Sequence, residues 1–328
     1  MRPLFSDKIF VNLHRNAGKK KAMNKKYQKI FANIGALLAV AAWGTSFISS
    51  KVLLESAEMT PIEVYIYRFS LAYVLLLCFS FKTIWAHTWK DEIQLLFCGV
   101  CAGSLFYVLE NYALQNTTTS NVSLLSSISP LLTTALMALV FRKRVSIGVV
   151  AGSVIAFIGV GFVIFGHDAS LKINPLGDLL ALASALSWAI YSIGIKNLVP
   201  VYNSMFITRK LFFYGVLTAL PLLLIQNAPS HLATLFTGTT YLLNMGFLVL
   251  ICSIAAYVVW NYSMKVLGPV RANNYLYMQP LMTMVAAYIV FGEEISVLGY
   301  LGCILIIGGL VLADKLKIHS TGIRHIRK

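Results

Sequence analysis

Long apolar runs recur along the sequence and are separated by short polar connections. Most of them reach the roughly 20 residues that an α-helix needs to cross a hydrocarbon core, and they lack the alternation of a membrane β-strand. The pattern therefore predicts an all-α polytopic membrane protein. We expect ten transmembrane helices, at about residues 30–50, 62–81, 93–112, 119–140, 146–165, 178–196, 205–225, 241–263, 270–291 and 296–313.

The composition indicates that lipid is the solvent for most of the chain. Of the 328 residues, 58% are apolar and only 12% are charged, about half the charged share of a typical globular protein. A soluble protein of this composition could not cover its surface. An ordinary soluble domain, a disordered chain and a disulfide scaffold are therefore excluded.

The excess positive charge, +15 at pH 7, follows the topology of the expected helices. If the N-terminus is cytoplasmic, all 27 Lys and Arg residues except Lys51, Arg68 and Lys172 fall in or next to cytoplasmic segments. This is the positive-inside pattern of a chain with both termini in the cytoplasm. It predicts a multi-pass protein of the cell inner (plasma) membrane that contacts the lipid bilayer and no nucleic acid. Either Met1 or Met23 is compatible with this topology as the first residue.

The second half of the sequence repeats the first. At an offset of 150 residues, one gapless register aligns identical residues across three expected helices, including Tyr107 with Tyr257 and Gly152 with Gly302. Five helices are an odd number, so the second copy enters the membrane from the opposite face. Inverted halves of this kind are typical of secondary transporters, although they also occur in channels. The expected organisation is a basic cytoplasmic tail (1–29), a first repeat (30–165), a second repeat (176–314) and a second basic cytoplasmic tail (315–328).

The residues shared by the two copies resemble the EamA family of the drug/metabolite transporter superfamily. The first copy carries the run Glu110–Leu125 followed by Ser129-Pro130, and the second carries Asn261-Tyr262-Ser263 and Gln279-Pro280. Trp43-Gly44 and Trp188 also fit. The resemblance implies ten helices in two inverted five-helix repeats around a central cavity. It also implies export or exchange of small metabolites, often amino acids, without ATP. One departure is that Gly292-Glu293 of the second copy corresponds to Arg142-Lys143 in the first.

Glu110 is the one carboxylate placed deep inside an expected helix, and Arg68 lies one turn into helix 2, near the outer side. Glu110 must face the bundle interior or carry a proton, because a bare charge in lipid costs several kcal/mol. It is a candidate for proton coupling or for binding a substrate ammonium group; the alternative is a structural partner for Arg68 or for neighbouring amides. Arg68 could bind a substrate carboxylate. The alternative, which we slightly favour, is that Arg68 snorkels to the membrane surface or pairs with Glu63. Snorkelling is favoured further for its counterpart Arg209.

Aromatic residues supply the next candidates for lining a cavity. Trp43 and Trp188 fall in the middle of expected helices, where an indole N–H needs a polar partner. Trp260 occupies the position of Glu110 at the offset of 150, so an acid and an aromatic face could together hold a cationic or zwitterionic solute. Ordinary packing is the alternative for each ring. The remaining aromatic candidates are Tyr107, Tyr191, Tyr214, Tyr257 and Tyr277.

Uncharged amides and two prolines complete the candidate site. In lipid, an amide must hydrogen-bond across helices or line a wet cavity, which selects Asn111, Asn121, Asn261 and Gln279. Pro130 and Pro280 lie in equivalent mid-helix positions and are expected to kink helices 4 and 9.

The sequence predicts a transporter rather than an enzyme. It contains no ATP-binding GxxxxGK[ST] loop and no HExxH or GxSxG motif, so we expect no metal, no cofactor and no catalytic residue. The expected function is export or exchange of a small-molecule solute by alternating access, with possible proton coupling. A passive channel and a membrane receptor or assembly subunit are the alternatives. Glycines of helices 5 and 10 allow either tight packing or a homodimer face.

Overall fold

The computed structural model describes residues 4–81, 83–117, 119–142, 145–165, 174–225, 230–291 and 296–315. All regular secondary structure within these ranges is helical. The α-helices are α1 (Leu4–Lys51), α2 (Pro61–Phe79), α3 (Trp89–Gly99), α4 (Phe106–Asn116), α5 (Thr119–Ser126), α6 (Ser129–Phe141), α7 (Ile147–Phe165), α8 (Pro175–Gly194), α9 (Ser204–Ile225), α10 (Thr239–Phe247), α11 (Ala256–Leu267), α12 (Pro269–Asn274), α13 (Gln279–Phe291) and α14 (Val297–Lys315).

Eight helical stretches of the described chain are long and apolar enough to cross a membrane. They match the first eight apolar runs of the sequence. The last two runs are represented by the short helices α12 and α13 and by α14, whose apolar stretch Val297–Ala313 is shorter than the eight spans, so a total of ten spans stays a prediction. The polytopic character of the protein is confirmed, with only helical secondary structure in the ranges given above. The eight stretches are Lys25–Leu54, Pro61–Phe79, Trp89–Ala113, Leu124–Phe141, Ile147–Phe165, Pro175–Asn197, Ser204–Ile225 and Thr239–Leu267.

Polar side chains fix where several helices begin. Thr60 caps α2 by accepting a hydrogen bond from the Glu63 N–H, and the Glu63 carboxylate accepts one from the Thr60 N–H. Thr88 and Asn174 cap α3 and α8 in the same way with their side-chain oxygens. These caps supply partners for N–H groups that the first helical turn leaves free.

Four of the expected helices are interrupted rather than continuous, at equivalent positions in the two halves. π-helical segments, Val100–Leu105 and Leu248–Ala255, join α3 to α4 and α10 to α11. The chain also breaks between α5 and α6, just before Pro130, and turns into a 3₁₀ segment just before Pro280. A proline ring excludes the preceding helical turn and removes an N–H donor, which accounts for both breaks.

The closest helix pair is α7 with α14, and glycines form its contact. A Cβ atom added to Gly159 would lie 2.8 Å from the Gly302 carbonyl oxygen, and one added to Gly152 would collide with the Gly309 carbonyl oxygen. Only helices without side chains at these points can approach so closely. These four glycines therefore pack within the chain, as one of our two sequence-based interpretations expected.

Candidate functional site

A cluster of aromatic rings fills the centre of the bundle. The Trp43 ring of α1 lies 5.6 Å from Trp188 of α8, 5.2 Å from Tyr257 and 5.1 Å from Trp260, both of α11. All four side chains are buried. The cluster joins the first quarter of the chain to its second half, because α1 packs along α11.

Two of the three indole N–H groups in this cluster have buried acceptors. Trp43 Nε1 donates to the Cys252 carbonyl oxygen at 2.9 Å, and Trp188 Nε1 donates to Asn273 Oδ1 at 2.9 Å. Cys252 belongs to a π-helical segment, whose irregular hydrogen bonding leaves carbonyl groups available to side chains. By contrast, Trp260 Nε1 is buried and has no hydrogen-bond partner among the described residues.

Tyrosines at equivalent positions of the two halves meet beside the tryptophans. The hydroxyl groups of Tyr107 and Tyr257 are 3.4 Å apart, although the residues are separated by 150 positions. The Phe69 ring lies 5.2 Å from Tyr107 and 6.1 Å from Tyr257. A residue that touches its own sequence equivalent lies at the boundary between the two halves.

Arg68 is buried against these rings and is only partly satisfied. Its side chain donates from Nε to Ser253 Oγ at 2.7 Å, and its guanidinium carbon lies 4.9 Å from the centre of the Phe69 ring. Nη2 is buried and has no partner among the described residues. The expectation that Arg68 snorkels or pairs with Glu63 is therefore wrong. Glu63 is occupied by its capping hydrogen bond and by His231, whose Nδ1 lies 3.0 Å from Glu63 Oε2.

Glu110 lies on α4 within electrostatic range of Arg68, but the two charges are not in contact. The carboxylate forms no ion pair and no hydrogen bond within the part of the chain that the structure describes, so neither a direct Arg68 partner nor an amide partner is present there. Its residue is partly exposed, as is the adjacent Asn111. Arg68 and Glu110 are thus oppositely charged side chains in the same region of the molecule, and each has hydrogen-bonding groups that no described residue uses.

The equivalent arginine of the second half has quite different surroundings. Arg209 is 2% exposed and donates to the carbonyl oxygens of Ser80, Thr83 and Ile84, beyond the end of α2. The snorkelling expected for Arg209 is therefore wrong as well. Its side chain instead supplies a donor to the C-cap residue of α2, Ser80, and to carbonyl groups of the connection that follows.

Next to Arg209, a buried ion pair joins α3 to α9. Lys210 Nζ and the Tyr214 hydroxyl both donate to Glu92 Oε1, and the Ala86 N–H donates to Glu92 Oε2 at 2.7 Å. Sequence reasoning named Tyr214 but missed Glu92 and Lys210, which fall near the ends of apolar runs. Their burial depends on the packing of α3 against α9, which no local pattern reveals.

Most of the predicted site residues lie around the central aromatic rings, and a few lie elsewhere in the structure. Tyr191 is hydrogen-bonded to Asn261 Oδ1 at 2.9 Å beside Trp188. Tyr214 belongs to the Glu92 group, and Tyr277 lies in a second cluster with residues of α7 and α14. The side chain of Asn121 lies outside the described residues, and Gln279 begins α13. The residues around the central rings are Trp43, Arg68, Tyr107, Trp188, Tyr191, Tyr257, Trp260 and Asn261. Glu110 lies within electrostatic range of Tyr107, and Asn111 follows it on α4.

The two ends of the bundle differ in how tightly they are packed. We call them the Arg209 side, formed by the ends of α3, α8 and α9 with α12, and the Arg68 side, formed by the opposite ends. On the Arg209 side, α3 packs along α9, and α12 packs against α6. On the Arg68 side, no comparable packing joins the equivalent pairs, α10 with α2 and α13 with α5, within the described ranges.

A matched pair of amides shows the same difference. Gln94 Nε2 donates to the Gly194 carbonyl oxygen and so joins α3 to the end of α8. Its equivalent, Asn244, donates to the Thr240 carbonyl oxygen of its own helix at 2.8 Å. A cleft of about 300 Å³ remains there, between Asn244, Ser49 of α1 and Ala286 of α13. For these helix pairs and amides the Arg68 side is the more open end, and there the halves are joined by the hydrogen bond from the His231 N–H to Glu63.

Comparison with known proteins agrees with this architecture. Residues 30–165 and 175–313 match the model of the EamA-like transporter family. A solved crystal structure superposes with a TM-score of 0.71 at 18% identity, covering 86% of this chain and 96% of that one. The chain therefore shares the fold of that protein.

Relatives from bacteria and archaea are named as transporters. An uncharacterized transporter of Archaeoglobus fulgidus is 26% identical over 294 residues, 88% of this chain and 98% of that protein. One of Clostridium kluyveri is 24% identical over 284 residues, 84% of this chain and 90% of that protein. A probable terminal-alkyne amino-acid exporter of Streptantibioticus cattleyicolor is 24% identical over 229 residues, 69% of this chain and 74% of that protein. The chain belongs to the EamA-like transporter family.

Proposed function

We propose that this protein is a secondary transporter that exports or exchanges small zwitterionic metabolites, such as amino acids, by alternating access. Membership of the transporter family and the eight membrane-length apolar stretches found in the described ranges support movement of a small solute across a bilayer. In the proposed orientation both termini are cytoplasmic, because the basic residues favour that side. The Arg209 side is then cytoplasmic, and the Arg68 side faces outward.

The separation of Arg68 from Glu110 is the observation that carries the proposal. Arg68 Nη2 is a buried donor without a partner, and Glu110 is a carboxylate without one, within the described residues. A zwitterion would supply a partner for each of the two side chains. Its carboxylate would bind the Arg68 guanidinium, and its ammonium would bind Glu110. A buried charged group left without a partner is costly, so these residues favour a solute that carries both charges.

The aromatic rings around these charges support the same substrate class. Phe69 and Tyr107 flank the guanidinium, whose carbon lies 4.9 Å and 6.0 Å from the two ring centres. Such faces hold a planar cation in position and exclude water, which strengthens the electrostatic interaction with a bound anion. The relative named as an amino-acid exporter is consistent with this chemistry.

Contacts between equivalent residues support an inverted repeat. Gly152 contacts Gly309 and Gly159 contacts Gly302, so each glycine faces the equivalent of the other across α7 and α14. This reciprocal pattern is what a two-fold axis between two copies produces. Two halves related in that way can exchange conformations, which is the basis of alternating access.

Counterflow in proteoliposomes tests the proposal. Vesicles containing the purified protein are loaded with an unlabelled amino acid, and entry of the labelled form is followed against a panel of zwitterions, amines and carboxylates. We expect saturable counterflow with zwitterions only. Linear entry without counterflow would instead indicate a channel. Absence of counterflow with every zwitterion would overturn the proposed substrate class.

Proton coupling through Glu110 forms a separate part of the proposal. A carboxylate that is partly exposed on the open side can exchange protons with that side while it competes for the substrate ammonium. We expect a pH gradient across the vesicle to drive accumulation. If a pH gradient leaves accumulation by the unmodified protein unchanged, coupling is disproved while transport stands.

A further inference from the structure

We infer that Glu92, Lys210 and Tyr214 form an ionic lock on the Arg209 side that holds the transporter open toward the Arg68 side. The inference rests on the proposed alternating access and adds the element that decides which state is favoured. The lock has a buried carboxylate at its centre, with two side-chain donors from α9 and one backbone donor from the segment before α3.

The lock is built to connect the two halves of the chain. Glu92 belongs to the first half and Lys210 and Tyr214 to the second, so the ion pair exists only while α3 and α9 are in contact. Both charged side chains are almost fully buried, at 5% exposure for Lys210 and 7% for Glu92. Burial strengthens the attraction between them and makes either charge costly when the other is removed.

Neighbouring contacts join the two halves at the same place. Tyr202 donates to Asp91 Oδ2 at 2.7 Å and accepts a hydrogen bond from the His87 N–H at 2.8 Å. The Trp85 ring covers Lys210, with Nζ 4.4 Å from the ring centre. These groups and the Gln94–Gly194 hydrogen bond surround the lock with residues that also bridge the two halves.

The opposite side lacks an equivalent of the lock. At the offsets that relate the two halves, Glu92 corresponds to Leu242 and Lys210 to Phe69. Leu242 is exposed on α10, and Phe69 is buried in the central aromatic cluster. Among the described residues, the Glu–Lys pair is therefore specific to the Arg209 side; the halves are joined on the Arg68 side by Glu63, which accepts a hydrogen bond from the His231 N–H at 2.8 Å and lies 3.0 Å from its Nδ1. An asymmetric interaction of this kind shifts the populations of two otherwise similar states.

The lock predicts a change in state when one charge is removed. In Glu92→Gln, Lys210 loses its buried counter-ion and is stabilised by reaching water, which requires the Arg209 side to open. The Arg68 side should then close for a larger fraction of the time. The double variant Glu92→Lys with Lys210→Glu restores an ion pair of reversed polarity and should restore the original state.

Cysteine labelling measures this shift without any substrate. The reporter Asn111→Cys, at a partly exposed position next to Glu110 on α4, is labelled in intact cells with a membrane-impermeant maleimide. Cys78 and Cys303 are replaced by Ser, and labelling of the protein without the reporter is subtracted. We expect Glu92→Gln to slow labelling by about threefold to tenfold, and the charge-reversed pair to return it to the original rate. Lys90→Gln, which removes an exposed charge two residues from Glu92, is the control and should leave the rate unchanged.

Two outcomes would overturn the lock. One is an unchanged labelling rate in Glu92→Gln at normal membrane abundance; the other is a slow rate that the charge-reversed pair does not correct. Counterflow is measured on the protein without the reporter and with Glu92 intact, because Asn111 belongs to the candidate site, and it separates this result from the proposed function. Counterflow with unchanged labelling removes the lock but keeps transport, whereas altered labelling without counterflow keeps the lock and removes the proposed substrate.

Discussion

Arg68 and Arg209 occupy equivalent positions in the two halves of the chain, 141 residues apart, yet they have opposite surroundings. Arg209 is surrounded by backbone carbonyl groups next to a buried ion pair. Arg68 has one side-chain partner and an unused Nη2 group. The difference shows that a duplicated sequence can place the same residue in a structural seal on one side and in a candidate binding site on the other.

The largest effect is expected at the contact between α7 and α14, where equivalent residues of the two halves meet. Gly152→Leu and Gly159→Leu each place a side chain against the backbone of α14, where an added Cβ atom already collides. We expect both variants to lose most of their folded protein, because neither helix backbone can move away without separating the pair. The amount of monodisperse protein after detergent extraction measures the effect.

Gly308→Leu is the matched control for this prediction, since a Cβ atom at Gly308 meets nothing within 4 Å. It should be recovered at the level of the unmodified protein. Normal recovery of either Gly152→Leu or Gly159→Leu would show that the α7–α14 contact is not as close as described.

Substitution of the two arginines should separate transport from stability. Arg68→Ala is expected to lower transport efficiency by about 100-fold, because a buried charged anchor for the substrate is lost. Arg68→Lys should recover little of it, since an ammonium group cannot form the same two-pronged contact with a carboxylate. Initial rates in proteoliposomes, normalised to the amount of incorporated protein, provide the measurement.

Arg209→Ala should instead lower the thermal unfolding temperature in detergent. Its loss removes the hydrogen bonds to the carbonyl oxygens of Ser80 and Thr83, each worth about 0.5–1.5 kcal/mol. The apparent substrate affinity of the remaining folded protein should be unchanged. A large affinity loss in Arg209→Ala, or normal transport in Arg68→Ala, would contradict the assignment of the two arginines.

Replacement of Glu110 tests the ammonium half of the candidate site. Glu110→Gln keeps the size of the side chain and removes its charge, so we expect zwitterion binding to weaken by about tenfold. A carboxylate analogue that lacks the ammonium group should compete equally well in both proteins. Competition against labelled substrate measures the affinity for each of the two ligands. An equal loss of affinity for both would refute direct contact between Glu110 and the ammonium.

The smallest expected difference concerns the equivalent amides. Gln94→Ala removes a hydrogen bond between α3 and α8 and should destabilise the protein by about 1 kcal/mol. Asn244→Ala removes only a bond within its own helix and should change stability by a few tenths of that amount. Thermal unfolding of the two variants under one set of conditions gives the comparison; equal shifts would argue against a tighter Arg209 side.

The general architecture could be predicted from the sequence because it depends on local properties. Apolar runs specify membrane helices by their length and composition, and the described spans follow the first eight runs. The need of Trp43 and Trp188 for polar partners was also foreseeable, since an indole N–H in a dry environment requires an acceptor. The identity of those acceptors, the Cys252 carbonyl oxygen and Asn273, was not, because they lie far away along the chain.

The charged groups show most clearly where sequence reasoning ends. A single arginine in an apolar run is compatible with snorkelling, with an ion pair or with a binding role, and the sequence alone favoured the first two for Arg68. Only the packing of α2 against the π-helical segment of the second half places Ser253 beside its Nε atom. Only the packing of α3 against α9 buries Glu92 with Lys210.

The amino-acid sequence by itself determined that the chain crosses a membrane, that its two halves are related, and that a few polar residues lie within apolar helices. These properties follow from hydrophobicity and periodicity, which act over one or two helical turns. The tertiary structure decided which polar groups are satisfied and which remain available. That outcome depends on distances between helices far apart in the sequence, and small differences in their packing decide whether two opposite charges touch.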